Sequence, residues 1–375
     1  MRIGIDARDL LKPHPTGIGT YIDHIVSYLA ENGNYEIYLY TPADFDLAAA
    51  GRSYPDTVKV RVVPTRLPGT LWLRYALPKV LRCDKIDIFW GASHLLPAKC
   101  KGIRYVLTVH DLALFIEPRW GKRNNVIVLK TFMPRSVNEA DAILVDSLST
   151  QNDLVRICHA DESKISCVYL GGVKIEPGLI CPDALKRVKE KFSIRDRYFY
   201  YVGTIEPRKN IETIVKAFEH LSNDYPDVDL VLAGVLGWRY EGILEQIECS
   251  PVKDRIRLTG YLTKEEKVNL YAGSQAFLFP SHYEGFGLPI LEAMVAGTIV
   301  ITDQVSSLPE VAGDAALYIE DENNVNALAS QMRRSLEMDK AERSVILEAG
   351  KKQAGKFSWE NCARETVKVL LGELR

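Results

Sequence analysis

The sequence has no apolar run approaching the roughly 18 residues that a membrane-spanning helix needs. It also has no low-complexity tract and no short internal repeat. Those absences argue against an integral helical membrane protein, a disordered linker and a solenoid. Cysteine is sparse and unpatterned: Cys83, Cys100, Cys158, Cys167, Cys181, Cys249 and Cys362 are odd in number and never spaced Cys-x-x-Cys. That spacing excludes a disulfide framework or zinc ribbon, and predicts small buried hydrophobes in a reducing compartment. A secretory leader is not seen either, because Met1-Arg2 runs straight into strand-like Ile3-Gly4-Ile5. The expectation is a cytosolic protein with no nucleic-acid partner.

What is present is an ordinary globular composition, 47% hydrophobic and 26% charged, over 375 residues. At about 100–200 residues per domain this predicts two. Strand-like runs alternate with helical patterns: Arg2–Ala7, Glu36–Tyr40, Val58–Val63, Ile86–Trp90, Tyr105–Val109, Ala142–Val145 and Ile165–Tyr169. They resume with Tyr198–Val202, Leu230–Ala233, Ile256–Leu258, Ala276–Phe279 and Thr298–Thr302. Several are apolar without alternation, as in parallel strands covered on both faces. Helical patterns such as Tyr21–Leu29, Asn210–Leu221 and Val325–Leu336 intervene. The reading is α/β, with two doubly wound parallel sheets.

A turn-rich stretch, Leu170-Gly171-Gly172 to Glu176-Pro177-Gly178, separates the halves. The expected domains are residues 1–175 and 176–357, with 358–375 as a closing helix crossing back to the first. Ligands of open parallel sheets bind at the strands' carboxyl ends, so two facing sheets predict an interdomain cleft.

The net charge of −2 conceals an asymmetry. Residues 51–135 hold 16 Lys and Arg against five Asp and Glu, and the rest of the chain holds 31 against 44. Such a basic stretch reads either as a solvated face or as the seat of an anionic partner.

Four segments carry chemistry. Phe279-Pro280-Ser281-His282-Tyr283-Glu284-Gly285-Phe286-Gly287-Leu288-Pro289-Ile290-Leu291-Glu292-Ala293 joins a strand end to a helix start, with Pro289 in its first turn and Gly297 as its stop. Gly285 and Gly287 allow close backbone approach, and free N–H groups there favour an anion. Scaffolding with a surface acid is the competing reading. Tyr201 to Asn210 also follows a strand, and Arg208-Lys209 arrives at a helix N-terminus, where cations do not help the helix. A bound diphosphate accounts for them, as does chance surface charge. Thr16-Gly17-Ile18-Gly19-Thr20 is a weak Gly-x-Gly loop before the first helix. His110, after Val109, is either a site residue at a strand's carboxyl end or a satisfied buried histidine.

Taken together these segments resemble the retaining GT-B glycosyltransferases of family four. Glu284-x7-Glu292, Glu206-Pro207-Arg208-Lys209-Asn210, Val145-Asp146-Ser147, Ser307-Leu308-Pro309-Glu310-Val311 and Phe357-Ser358-Trp359-Glu360 all match that family. The resemblance covers nearly the whole chain and is strongest from Tyr198 to Tyr318. It implies two Rossmann-like domains, an N-terminal one for the acceptor and a C-terminal one for a nucleotide-sugar donor.

By this resemblance Glu292 holds the donor ribose, while Arg208 and Lys209 bind the diphosphate and stabilise the leaving group. Glu284 and the backbone of Gly285, Phe286, Gly287 and Leu288 contact the sugar and phosphate. His110 lies by the anomeric region, Gly17 and Gly19 approach the diphosphate, and Tyr261-Leu262 lies near the base. The catalytic set is thus His110, Glu284, Arg208 and Lys209. No cofactor and no metal are implied, because the cations supply the charge. Asp44-Phe45-Asp46 and Asp227-Val228-Asp229 spell Asp-x-Asp but read as incidental. Two departures stand out: Gly203-Thr204 replaces the frequent Gly-Arg, and Gly17-Ile18-Gly19 replaces Gly-Gly.

The motifs look most like bacterial mannosyltransferases of surface-polysaccharide assembly, with GDP-mannose as donor and a saccharide or lipid-linked oligosaccharide as acceptor. UDP-hexoses and UDP-N-acetylhexosamines stay open as donors. So do an epimerase or hydrolase of a sugar nucleotide and a non-catalytic lectin-like partner. Leu71–Arg82 and Trp120–Arg135 mix aromatics, leucines and bases, a pattern fitting either an anionic membrane surface or an acceptor cleft.

Overall fold

The computed structural model describes every residue except 12–15, 45–46, 48–51, 68, 321–323 and 374–375. The chain forms two compact units. One comprises Met1–Gly171 with Ser358–Arg375, and the other Gly172–Phe357.

The first unit holds a seven-stranded, wholly parallel sheet: β1 (Arg2–Asp6), β2 (Glu36–Thr41), β3 (Val58–Val62), β4 (Ile88–Gly91), β5 (Arg104–Val109), β6 (Ala142–Val145) and β7 (Ile165–Cys167), in the order β3-β2-β1-β4-β5-β6-β7. The second holds six parallel strands: β8 (Arg197–Val202), β9 (Val228–Ala233), β10 (Ile256–Gly260), β11 (Phe277–Phe279), β12 (Val300–Asp303) and β13 (Ala316–Ile319), ordered β10-β9-β8-β11-β12-β13.

Burial explains which strands read as continuous apolar runs. β4, β6, β9 and β12 are buried at every position. Edge strands β3, β10 and β13 alternate, because one face meets solvent. β13 is the strand the sequence reading lacked. It is four residues long, alternating, and follows a 3-10 turn at Gly313–Ala315.

The closing helix Trp359–Leu371 packs in the first unit against helix Gly17–Asn32. His24 stacks on Trp359 at 4.3 Å, Tyr21 Oη lies 3.4 Å from Thr366 Oγ1, and Arg104 donates to the carbonyls of Val369 and Leu370. A Cβ on Gly171 would sit 2.3 Å from the Trp359 nitrogen, so the chain passes here only as glycine.

Two expectations change. Of the seven cysteines, only Cys100, Cys158 and Cys362 are buried, and Cys83 and Cys249 are exposed. The stretch Leu71–Arg82, read as fitting a membrane surface or an acceptor cleft, turns its apolar residues inward and leaves Tyr75, Lys79 and Arg82 exposed. Its π-helical turn Trp72–Ala76 and the helix Leu77–Cys83 send Trp72, Leu73, Leu77 and Leu81 into the core, and Arg74 grips Glu139.

Candidate active site

In the second unit the strand order reverses between β8 and β11, the place where open parallel sheets take ligands. Both expected motifs follow those two strands. After β8, Ile205 bridges in parallel to Leu236, Pro207–Lys209 makes a 3-10 turn, and Asn210 turns left-handed (φ 56°, ψ 37°) into helix Ile211–Ser222. Asparagine tolerates that geometry better than most residues. After β11 the loop closes with Gly287 at φ 107° and ψ 43°, and helix Leu288–Val295 starts with Pro289 in its first turn. A side chain at Gly287 would be strained by φ and would press on Leu308 at 3.3 Å.

Because β8 and β11 are neighbours, the loops touch: His282 N donates to the Arg208 carbonyl at 3.0 Å. Ser306, itself at φ 49°, accepts from Glu284 N at 3.0 Å, and Ser307 Oγ lies 3.0 and 2.8 Å from the carbonyls of Glu284 and Phe286. These contacts from the loop after β12 fix the glutamate's backbone. Sequence reasoning placed neither serine at the site, although Ser307 opens the Ser307-Leu308-Pro309-Glu310-Val311 run it quoted and Ser306 immediately precedes it.

The charged groups form one cluster. Lys209 Nζ lies 2.5 Å from Glu284 Oε1 and 5.3 Å from the Phe279 ring centre. Arg208 Nη1 donates to Glu284 Oε2 at 3.2 Å and to the Tyr283 carbonyl at 2.9 Å, while Nη2 holds Glu206 Oε1 at 2.8 Å. Two cations thus face two carboxylates. Burial opposes ionisation of Glu284, but the charges of Lys209 and Arg208 overcome it and hold its carboxyl below the usual range. Burial and Arg208 push Lys209 down, with Glu284 pulling it part of the way back. Glu284 is therefore ionised and unsuited to donating a proton. Glu206 is a member that sequence reasoning quoted only within its motif.

Glu292 has both oxygens engaged: Lys267 Nζ at 2.6 Å on Oε1 and Tyr271 Oη at 3.1 Å on Oε2. Neither partner was anticipated. Lys267 and Tyr271 stand one turn apart on helix Lys264–Gly273, and that i,i+4 spacing was the available signal. That helix begins just after Tyr261, which is exposed, and Leu262, which is buried. Gly285 and Leu288 are half-buried, and Phe286 is buried.

In the first unit, His110 follows β5 and meets groups from β4, β6 and the first helix. Its Nδ1 lies 2.6 Å from Asp146 Oδ2, and its Nε2 2.8 Å from the Ala92 carbonyl. Tyr21 packs edge-on at 5.4 Å. Both ring nitrogens therefore have partners within this unit. Gly17 and Gly19 are not in a loop, as expected, but in the first turn of helix Gly17–Asn32. Thr16 makes that early start: its hydroxyl caps the helix by accepting from Gly19 N at 3.1 Å.

Asp227-Val228-Asp229 is held by arginines and not open to a metal. Asp227 pairs with Arg197, and buried Asp229 accepts from Arg195 N with Arg195 and Arg257 beside it. Phe45 and Asp46 lie outside the described residues. Among the described residues no three His, Cys, Asp or Glu cluster as a metal site.

Comparison with known proteins adds the rest. Residues 15–171 match the profile described as Glycosyltransferase Family 4, and residues 183–353 the one described as Glycosyl transferases group 1. O-antigen chain mannosyltransferase B of Escherichia coli is 34% identical over 296 residues, covering 76% of this chain and 74% of that protein. O-antigen chain mannosyltransferase RfbU of Salmonella typhimurium is 24% identical over 312 residues, covering 81% and 83%. Among solved structures, WaaG, a glycosyltransferase involved in lipopolysaccharide biosynthesis, superposes with a TM-score of 0.75 at 17% identity, covering 99% of this chain and all of that one. Anabaena HepE in complex with UDP-glucose gives 0.76 at 15% identity, with full coverage of both.

Proposed function

The chain belongs to glycosyltransferase family 4 and has the GT-B fold, and on that premise we propose that it transfers mannose from GDP-mannose to a saccharide acceptor with retention of configuration. The observation that carries the reading is the 34% identity to an O-antigen mannosyltransferase over three quarters of both chains. The acceptor we infer is a growing, lipid-linked surface polysaccharide.

In this reading Glu292 receives the ribose hydroxyls, Tyr261-Leu262 borders the base, and Arg208 with Lys209 takes the diphosphate. The incoming phosphates compete with Glu284 for both cations. As they draw Lys209 and Arg208 away, Glu284 becomes free to accept sugar hydroxyls, alongside the backbone of Gly285 to Leu288. The cations then stabilise charge as it develops on the leaving group, which is where electrostatic catalysis is most effective. The acceptor attacks the face from which the phosphate departs, and the phosphate takes its proton. No acid–nucleophile carboxylate pair is needed, unlike a retaining glycosidase. An ionised Glu284 fits that scheme. The family resemblance further assigns His110 to the anomeric region and Gly17 and Gly19 to the diphosphate.

A thermal-shift panel of GDP-mannose, UDP-glucose, UDP-galactose and UDP-N-acetylglucosamine tests the donor. A ligand at a hundredfold excess over its Kd stabilises the fold by ~2.7 kcal/mol. GDP-mannose should raise Tm, and NMR of the product should show the α anomer retained. A shift with UDP-sugars alone overturns the donor assignment, and no shift with any of them overturns the donor site.

A further inference from the structure

Asp146 is a buried acid at the carboxyl end of the first sheet for which the transfer scheme has no task. It follows β6 directly and is 3% exposed, and His110 is 6% exposed. The Ala92 carbonyl on Nε2 can only accept, so that nitrogen carries a hydrogen. On the other side, Nδ1 and Oδ2 approach to 2.6 Å. Two lone pairs do not come so close without a proton between them. The ring and the carboxyl together therefore hold a second proton.

We propose that Asp146 is a positioning residue for His110: it keeps the ring doubly protonated and fixes its plane, so that the end of β5 presents a cation. The inference rests on the assignment of His110 to the transfer reaction. That positive charge, paired with Asp146 at Nδ1, acts on an anionic leaving group as one end of a preorganised dipole.

The neighbours agree. Tyr21 comes from helix Gly17–Asn32, with its ring perpendicular to that of His110, and His94 comes from beyond β4 at 5.5 Å. Asp111 follows in the chain, and Cys362 on the closing helix bears on both Tyr21 and Asp146. Burial pushes the Tyr21 hydroxyl and the Cys362 thiol upward, so both stay neutral. The acids Asp146 and Asp111 thus answer the ring's charge. Burial alone lowers His110, but the Asp146 charge, the hydrogen bonds to Asp146 and Ala92, and Asp111 raise it to about 9. Asp146 is raised by burial against the opposing pull of His110. Both directions mean that the pair keeps its shared proton through neutral pH.

The test has two arms. In full-length protein labelled with 15N-histidine, the His110 signals are identified by their loss in His110→Gln and followed from pH 5.5 to 9. Wild type should show an imidazolium up to pH 8, and Asp146→Asn a neutral ring by pH 7. Kinetically, an unassisted histidine near 6.5 is only ~3% protonated at pH 8. The wild-type to Asp146→Asn ratio of kcat should therefore be smallest below pH 6 and reach at least ~30-fold at pH 8. A merely structural role gives a ratio independent of pH. A neutral His110 in wild type at pH 7, or a flat ratio, overturns the role of Asp146. An imidazolium in a protein that turns over no sugar nucleotide overturns the assignment of His110 to transfer instead. Should Asp146→Asn fail to fold, the wild-type titration decides alone.

Discussion

Lys209 and Glu284 are bonded to each other, Nζ to Oε1 at 2.5 Å, and Arg208 holds the second carboxylate oxygen at 3.2 Å. The residues assigned to the donor's phosphates and to its sugar are thus partners of one another. Removing one member of a buried ion pair leaves its partner uncompensated, at about 3–5 kcal/mol. Glu284→Gln should cost that much in urea denaturation at pH 7. Its carboxyl is held below the ordinary carboxylate range, so its contribution is present above about pH 4.5 and is lost as pH falls through the lower folded value. The gap between wild type and variant should therefore narrow on acidification. Equal stability at pH 7 would refute the pairing.

Lys209→Ala should act mainly on turnover, because the interaction of its cation with the leaving phosphate strengthens as charge develops. Loss of one such donor typically lowers kcat about 10²–10³-fold. Glu292→Ala should instead weaken donor binding. Because Lys267 and Tyr271 hold the two oxygens of Glu292, Lys267→Met should raise KM for the donor with little change in kcat. Tyr271→Phe, losing one hydrogen bond of about 1 kcal/mol, should raise it roughly fivefold. Unchanged kinetics in all three lysine and glutamate variants would remove the donor site from this loop.

Gly234 is a stricter position than the motif glycines. It follows β9 at φ 136°, and a Cβ there would lie 1.9 Å from the Gly203 carbonyl oxygen. Backbone cannot retreat as a flexible side chain can. Gly234→Ala should therefore displace the segment Gly203–Ile205 that leads into Arg208 and Lys209, lowering both Tm and donor affinity. A variant with wild-type Tm would show that the loop yields freely.

What was legible in the sequence follows from these same forces. Central strands such as β6 and β9 are apolar at every position because both faces are covered, so they announce themselves. Edge strand β13 alternates over four residues and does not. Glycine and proline marked the strand–turn–helix segments but left scaffolding open; the resemblance assigned their residues to one donor site, and the ion pair between them was not foreseen. Lys209 meets Glu284 across 75 residues only because β8 lies beside β11, which local pattern does not encode. Gly17 and Gly19 read as loop because glycine is a poor helix former, and the Thr16 cap that starts the helix early was overlooked. Leu71–Arg82 teaches the general limit: amphipathic spacing shows that a helix has an apolar face, not what covers it. Here the core covers it.

Metal removal separates this chemistry from that of metal-dependent transferases. The positive charge assigned to the diphosphate comes from Arg208 and Lys209, and the Asp227-Asp229 pair is engaged by arginines. EDTA treatment followed by assay in chelated buffer should leave kcat unchanged. Loss of activity restored by Mg2+ or Mn2+ would require a metal and reassign the leaving-group role.

The proposed membrane contact now rests on a narrower surface than the basic stretch suggested. With Trp72, Leu73, Leu77 and Leu81 in the core, Leu71–Arg82 offers Tyr75, Lys79 and Arg82, and the larger exposed face is one side of helix Arg123–Glu139, with Arg123, Ile127, Lys130 and Arg135, and the adjoining Ile116, Arg119 and Lys122. Ile116 and Ile127 are 41% and 54% exposed. No helix among the described residues is long and apolar enough to cross a bilayer. Each basic residue near an anionic surface contributes about 1 kcal/mol, screened by salt. Flotation with vesicles containing anionic lipid should carry the protein upward at low salt and release it at high salt. Lys122→Glu with Lys130→Glu should weaken binding by at least 10²-fold on that scale, while leaving turnover of a water-soluble acceptor intact. Flotation that is equal on neutral and anionic vesicles, or absent from both, would leave the basic face to a soluble acceptor.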